Sequence, residues 1–401
     1  MGEGCLQSRA DLGTVLGLGG LCVLALAASV GGCGRTSGAG ADRSFAVQRH
    51  VSRAEYERAP RLQLVLLSRA CAAESSPGCP VDTLAHALLG PGRTMLLVPL
   101  RGVAAVFDSS GRWLRDVGRT GAGPGEYRRV MAAGVDTAGA ITLFDASGFR
   151  VVTFDAAGRP AATRAVRPPI GFQGVKVAEG RPIAWVVPGG RTIGDTVLGN
   201  FVPLEQETPS RALASVAVRS LTRAGSDLMP LPPLFAAYPV WDVGPGLLIV
   251  FSPGDLMRIE RYGEDGALDL LVDVDIARRA VSDADLEREL SRRSARTGLS
   301  GFGGPEQRVI RAQLAEARRN AAAFHPSVRD VRVLRDGTIL VKGSPVEPSD
   351  SVRWDVFDRS GDLAGYYLLP QDARISDGDD RVLLLTGLDR EGAPYAGLFR
   401  R

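Results

Sequence analysis

The sequence predicts an all-β fold of six repeated units arranged in a ring, and three observations support this prediction. Short β-rich segments separated by glycine-containing turns recur along most of the chain. The last repeat has only three strands, while a spare β-like segment precedes the first repeat. At 401 residues with 45% hydrophobic residues, the chain can also bury a large core. We therefore predict a six-bladed β-propeller of four-stranded antiparallel blades.

The repeat is clearest in residues 130–166. β-rich segments at 140–145 and 150–155 are joined by tight turns, with glycine at positions 139, 148 and 158. Such segments form an antiparallel meander. One meander cannot bury both of its faces, so it has to stack on copies of itself.

The other repeats follow the same turn pattern. The six predicted blades span residues 82–118, 130–166, 172–221, 240–274, 328–369 and 374–400. Within blade three, residues 189–211 are polar and contain Gly and Pro, so we expect a long loop there. Residues 62–67 are expected to supply the outer strand that blade six lacks, which would close the ring and remove an open edge.

Residues 275–327 interrupt the β pattern. Ser282 can cap a helix, while Asp283 and Asp285 favour its positive end. A second run carries apolar side chains at helical spacing, namely Ile310, Leu314, Ala317 and Ala321. We expect a helical hairpin inserted between blades four and five, acting as a lid over the channel, a partner surface or a packed decoration.

The N-terminal region has the features of a secretory signal. Arg9 precedes an apolar run at 12–30, which small residues follow. We therefore expect a signal peptide over 1–32, a flexible tether over 33–60, and the propeller over 61–401. An uncleaved membrane anchor is the alternative reading of the apolar run.

The end of this run resembles the lipobox of bacterial lipoproteins. The matching residues are Val30, Gly31, Gly32 and Cys33. This resemblance implies that Cys33 is the lipid attachment point. In a host with two membranes, Gly34 after the cysteine implies the periplasmic face of the outer membrane.

Two further cysteines lie in the predicted mature chain. Cys71 and Cys79 are eight positions apart, and such a pair in an exported protein favours a disulfide. The alternative is two free thiols. A metal site is disfavoured, because neither a histidine nor a third cysteine lies nearby at ligand spacing.

Catalytic signals are scarce. The three histidines, at 50, 86 and 325, show no ligand spacing, and no GxSxG motif is present. Residues 121–125 lack the context of a phosphate loop. The aspartates that end strands, including Asp108 and Asp145, are interpreted as turn formers. We predict no catalytic residue, metal or cofactor.

Several segments resemble the NHL-like six-bladed β-propeller lipoproteins of bacteria. They are VFDSSG at 106–111, GRTGAGPGEY at 118–127, and Asp145 with RVVTFD at 150–155. Tyr127 replaces the usual phenylalanine of the link between blades. Residues 354–358 and 387–392 look like later parts of the same pattern. The resemblance implies the fold and says little about activity.

Two functions fit these observations. The sequence favours a non-catalytic binding or scaffold protein that is tethered at the cell envelope and holds a protein, peptide or glycan. The alternative is a metal-dependent propeller hydrolase, lactonase or lyase with its site at the central channel. Nucleic acid is disfavoured, because net charge is only +3 and the arginines are interleaved with acidic residues. We expect a monomer.

Overall fold

A computed structural model describes residues 46–70, 84–187, 196–204, 212–219, 233–296, 305–345, 350–388 and 394–401. These residues form six blades of four antiparallel strands each. In five blades the four strands are consecutive in the chain, and blade six combines three C-terminal strands with one from the N-terminal region. The first strand of each blade contacts the first strands of both neighbouring blades, which closes the ring. The predicted six-bladed propeller is therefore confirmed.

The N-terminal segment and the first three blades contain sixteen strands and one helix. In chain order these are β1 (Val47–Val51), α1 (Arg53–Arg58), β2 (Val65–Ala70), β3 (Leu84–Leu89), β4 (Met95–Pro99), β5 (Ala104–Phe107), β6 (Trp113–Val117), β7 (Arg119–Thr120), β8 (Glu126–Tyr127), β9 (Val130–Val135), β10 (Ile141–Asp145), β11 (Arg150–Phe154), β12 (Pro160–Ala165), β13 (Phe172–Ala178), β14 (Arg181–Val186), β15 (Thr196–Pro203) and β16 (Ala214–Arg219).

The last three blades and the insertion follow in the same way. They comprise β17 (Val240–Val243), β18 (Ile249–Ser252), β19 (Arg258–Tyr262), β20 (Leu268–Val274), α2 (Asp283–Arg296), α3 (Pro305–Arg319), β21 (Val328–Val333), β22 (Ile339–Gly343), β23 (Ser351–Phe357), β24 (Leu363–Pro370), β25 (Arg374–Gly378), β26 (Val382–Leu388) and β27 (Pro394–Arg400).

The hydrophobic core is divided among the interfaces between blades. Each of the six neighbouring pairs of blades buries its own apolar cluster, because both faces of every sheet carry apolar side chains. Between blades three and four, for example, Trp185 packs on Phe201 with ring centroids 4.5 Å apart, and Phe251 joins them. The ring is thus held together by packing around its whole circumference.

The link between blades one and two shows why its glycine pattern matters. Gly118 has φ of +71°, and a Cβ there would lie 2.8 Å from the carbonyl oxygen of Gly125. This close approach lets Tyr127 enter the core, where its hydroxyl accepts from the N–H of Ala104 at 2.7 Å and donates to the carbonyl of Val117 at 2.6 Å. Both hydrogen bonds go to blade one and could not be made by phenylalanine, while the tyrosine ring packs edge-on against Phe154 of blade two.

Ring closure occurs as predicted, with a shifted strand. Strand β2 pairs antiparallel with β27 and completes blade six as its outer strand, but it spans Val65–Ala70 rather than 62–67. The aspartates also behave as predicted turn formers. Asp108 accepts from the N–H groups of Ser110 and Arg112 at 2.9 and 3.0 Å.

The expected flexible tether over 33–60 is wrong for the part that the structure describes. Strand β1 adds to the outer edge of blade four in parallel with β20. Helix α1 follows, and its Tyr56 hydroxyl donates to Asp355 at 3.1 Å while its ring stacks on Arg353 at 3.8 Å. The ordered structure of this segment could not be predicted from composition, because it comes from contacts with blades four and five.

The expected loop over 189–211 is also partly wrong, because β15 lies within it. Its side chains alternate between buried and more exposed positions, and β15 pairs with both β14 and β16. The sequence did not predict this strand, because Gly199 and Asn200 are residue types that strands rarely contain. Gly199 is required there, since a Cβ would lie 1.9 Å from the Trp185 ring.

The helical insertion is confirmed as α2 and α3. Ser282 caps α2, because its hydroxyl accepts from the N–H of Asp285 at 3.2 Å. In α3, Leu314 and Ala317 are buried, as the apolar stripe predicts. Within the described ranges, no helix has the length and apolar character needed to cross a membrane.

Candidate functional site

A cavity of about 510 Å³ occupies the centre of the ring. Every inner strand contributes to its wall, namely β3, β9, β13, β17, β21 and β25. This volume is within the range of about 300–1,000 Å³ that is typical of small-molecule sites. The central cavity is therefore the candidate functional site.

Charged side chains line the part of the wall that blades three, four and five form. On the inner strand of each of these blades, one ionisable residue stands between apolar neighbours and lines the cavity. The Nζ of Lys176 lies 3.4 Å from Oδ1 of Asp242, and a guanidinium nitrogen of Arg332 lies 4.0 Å from the same oxygen. We call these three residues the charged wall.

The charged wall is fixed by contacts to neighbouring blades. Asp242 accepts a hydrogen bond from the backbone N–H of Val333 at 3.0 Å. Arg332 donates to Asp330 at 3.0 Å and to the carbonyl of Ile375, on blade six, at 3.1 Å. Both side chains therefore tie inner strands together as well as facing the cavity.

The pKa values of the two cations shift in opposite directions. Burial lowers the pKa of Lys176, and the nearby charge of Arg332 adds to this effect. Burial also opposes the charge of Arg332, but the carboxylates of Asp330, Asp242 and Asp377 outweigh it and raise its pKa. Lys176 is deep in the protein, yet 33% of its side-chain surface is accessible. Because Lys176 lines the cavity, its ammonium group is within reach of a ligand there.

The rest of the wall, formed by blades six, one and two, also carries charge, since Asp136, Asp372, Arg374 and Asp377 belong to its lining. His86 lines it, and burial lowers the pKa of this histidine to about 4, with Lys176 and Arg332 lowering it further. The imidazole is therefore neutral at neutral pH. Ser376 shares a hydrogen bond of 3.2 Å with Thr386, and the inner strand of blade two lines the cavity with alanine, glycine and valine.

Arg335 lies at the end of the channel where the inner strands finish. Its guanidinium reaches from blade five to the carbonyl oxygens of Leu89 and Val135, on blades one and two, and to Asp377 on blade six, which is 3.3 Å away. Asp377 also accepts from the N–H of Leu89 at 2.8 Å. Arg335 thus narrows this end of the channel and links four blades.

The structure places two of the three histidines far apart in function. His86 lines the channel, whereas His325 is buried in the helical insertion, 3.1 Å from Asp285. Among the described residues, no group of three or more His, Cys, Asp and Glu side chains is placed to hold a metal ion. Cys33, Cys71 and Cys79 lie outside the described residues, so the lipid anchor and the disulfide stay predictions.

The insertion joins the end of blade four to the start of β21, so it emerges on the face where the inner strands begin. None of its described residues lines the cavity. Sequence reasoning missed the whole charged wall, since one polar residue per blade makes no local motif. The available signal was the flanking valines, in VKV at 175–177 and VRV at 331–333.

Comparison with known proteins supports the fold. A family described as "6-bladed beta-propeller" (DUF5128) matches residues 103–167. A search of curated proteins found no match. Among solved structures, a member of the duf4221 family from Bacteroides vulgatus has a TM-score of 0.51 and 7% identity, covering 84% of this chain and 97% of that chain.

Two further structures are less similar in three dimensions. A protein from Bacteroides fragilis has a TM-score of 0.44 at 14% identity, covering 89% of this chain and 99% of that chain. A virginiamycin B lyase from Staphylococcus aureus has a TM-score of 0.41 at 8% identity, covering 84% of this chain and 99% of that chain. At these levels of identity the likeness concerns the fold alone, and the chain is a six-bladed β-propeller.

Proposed function

We propose that this protein is an exported, lipid-anchored binding protein that holds its ligand in the central channel. The observation that carries the proposal is the cavity of about 510 Å³, whose wall includes the ammonium group of Lys176 beside Asp242 and Arg332. Such a site can orient a small polar molecule, or the end of a peptide or glycan, by charge and by shape. The protein acts as a monomer at the periplasmic face of the outer membrane.

The bonding of the channel residues favours binding over catalysis. Asp242 and Asp377 each accept backbone N–H groups from neighbouring strands, so their carboxylates hold the ring together. His86 is neutral, and its environment shifts its pKa away from the range that suits a general base at neutral pH. A metal-dependent hydrolase, lactonase or lyase is the alternative, and its site would be the same cavity.

The attachment of the chain supports an anchored role. The described chain enters the propeller through β1, at the outer edge of blade four. A tether that leads to a lipid on Cys33 would therefore meet the ring at its circumference.

The proposal is tested by a thermal-shift screen of small polar molecules, short peptides and oligosaccharides. Ser376→Trp fills the cavity with an indole, and Ser360→Trp places the same side chain at an exposed turn. We expect ligands that raise Tm of the wild type and of Ser360→Trp but leave Tm of Ser376→Trp unchanged. Ligands that stabilise all three proteins equally would place binding outside the channel.

Catalysis is tested with the ligands that the screen identifies. Each is incubated with the protein, with and without added Mg²⁺, Ca²⁺ or Zn²⁺, and followed by NMR. The binding proposal predicts an unchanged ligand spectrum. Conversion to a new compound by the wild type, and not by Ser376→Trp, would establish the enzyme alternative.

The anchor has its own test. Expression in a bacterium with two membranes and labelling with a radioactive fatty acid should mark the wild type, which should then fractionate with the outer membrane. Cys33→Ser should remove the label, whereas Cys22→Ser, in the predicted signal peptide, is the matched control. An unlabelled wild-type protein would contradict the lipid anchor and leave the channel proposal standing.

A further inference from the structure

We propose that the channel ligand carries an oxyanion, either a carboxylate or a phosphate group, and that this group binds to the ammonium group of Lys176. The inference rests on the proposed binding function and adds the chemical class of the ligand. It is argued from the hydrogen-bonding capacity of Lys176, the position of Asp242, and the contrast with the arginines of the channel.

Lys176 has unused capacity for hydrogen bonds. Its ammonium group has three N–H donors, and within the described part of the chain its one charged partner is Asp242, at the long distance of 3.4 Å. Lys342 provides a contrast, because its ammonium donates to the carbonyls of Gln371 and Ala373 at 3.0 and 3.1 Å. Lys176 is therefore the lysine that can accept a ligand.

Asp242 compensates the charge of Lys176 only in part. One of its oxygens accepts from the N–H of Val333, and the other is shared between Lys176 and Arg332 at 3.4 and 4.0 Å. Charge-assisted hydrogen bonds are usually about 2.7–2.9 Å long. Arg332 also donates to Asp330 at 3.0 Å, whereas Lys176 has no short bond to Asp242, and a ligand oxyanion can supply one.

The cavity also offers uncharged polar groups for the remainder of the ligand. His86 lines it, and burial, together with the charges of Lys176 and Arg332, lowers the pKa of its ring. The neutral imidazole and the hydroxyl of Ser376 can therefore contact the rest of the ligand.

Arg335 shows that a cation alone does not make such a site. Its guanidinium is occupied by the carbonyls of Leu89 and Val135 and by Asp377. This arginine links blades, because its donors bind groups of the protein itself. Arg332 is likewise occupied, by the carbonyls of Ile375 and Val331 and by Asp330. The anion site is consequently assigned to Lys176.

Lys176 and Lys342 are the only lysines in the sequence, so the signal of each can be observed separately. Lysine labelled with ¹³C at Cε gives two signals, which Lys342→Arg assigns. Inorganic phosphate and acetate are titrated separately at constant ionic strength. We expect a saturable shift of the Lys176 signal with at least one of these anions, while the Lys342 signal stays unchanged.

Variants supply an independent readout. The same anion should raise Tm of the wild type and of Lys342→Met, and its affinity should fall at least roughly tenfold in Lys176→Met, a loss of about 1.4 kcal/mol. Signals of both lysines that shift together without saturation, or equal stabilisation of Lys176→Met, would overturn the assignment.

The result also separates this inference from the function on which it rests. Neutral ligands that stabilise the wild type but not Ser376→Trp, together with no response to either anion, would refute the oxyanion site and keep the binding channel. If no ligand of any class changes Tm of Ser360→Trp without also changing Tm of Ser376→Trp, both the binding function and the oxyanion site are refuted.

Discussion

The charged wall of the channel and the base of the helical insertion use the same residue types in different ways. In the insertion, Asp285 is buried and accepts from both the N–H and the hydroxyl of Ser282, at 2.9 and 2.8 Å. Arg279 and Arg288 approach it at 2.8 and 2.6 Å. In the channel, Asp242 shares one oxygen between two cations at 3.4 and 4.0 Å.

The difference lies in how far each cluster is satisfied. The carboxylate in the insertion is surrounded by donors, so the cluster caps α2 and fixes the two ends of the insertion. The cluster in the channel leaves an ammonium group facing open volume. Residue type therefore does not distinguish a structural cluster from a candidate site, whereas unused donors and access to a cavity do.

The largest effect is expected in the insertion. Asp285→Ala removes a helix cap and leaves Arg279 without its buried partner, so the free energy of unfolding should fall by about 3 kcal/mol. Asp283→Ala, at an exposed position in the same helical turn, should cost less than about 1 kcal/mol. Chemical denaturation measures both values. Equal losses would show that the cluster around Asp285 does not stabilise the insertion.

The channel histidine should produce a pH dependence of intermediate size. His86 has a pKa of about 4 in the folded protein, below its value of about 6.5 when unfolded, so the unfolded chain binds the proton first as pH falls. Stability from this group is full above about pH 6.5 and is lost as pH falls through about 4.

His86→Gln should therefore flatten the decline in the free energy of unfolding between about pH 6.5 and 4, by on the order of 1–2 kcal/mol. The comparison is made by chemical denaturation at several pH values. His50→Gln, at an exposed position of β1, is the matched control. An identical decline in wild type and His86→Gln would contradict a neutral, buried channel histidine.

The smallest effect sharpens the oxyanion assignment. Asp242→Asn keeps an acceptor for the N–H of Val333 but removes the charge that competes for Lys176. Affinity for phosphate or acetate should rise about fivefold, equivalent to roughly 1 kcal/mol. Titration calorimetry measures it. A weaker affinity in Asp242→Asn would mean that the carboxylate helps to bind the ligand.

Sequence reasoning succeeded where the signal was local and repeated. Turns with Asp and Gly located the blades, and the incomplete last repeat predicted closure by an N-terminal strand, now seen as β2. It failed at β1, whose pairing partner β20 is more than two hundred residues away. It also failed at β15, where glycine fits against Trp185 for a reason visible only in three dimensions.

The candidate site could not be predicted for a related reason. Lys176, Asp242 and Arg332 stand on three different blades, each as one polar residue in an apolar strand. A channel site is assembled by the closure of the ring, so its members are neighbours in space and not in sequence. The histidines gave no guide to the site, because their spacing indicated no ligand set, and His86 lines the channel whereas His325 does not.

Native mass spectrometry of the protein purified from its own host tests the central claim most directly. Envelope protein is released by mild detergent and compared as wild type and as Ser376→Trp, the variant with a filled channel. The account predicts a small-molecule adduct on the wild type that Ser376→Trp lacks. An adduct carried equally by both proteins would place the ligand elsewhere and contradict the account.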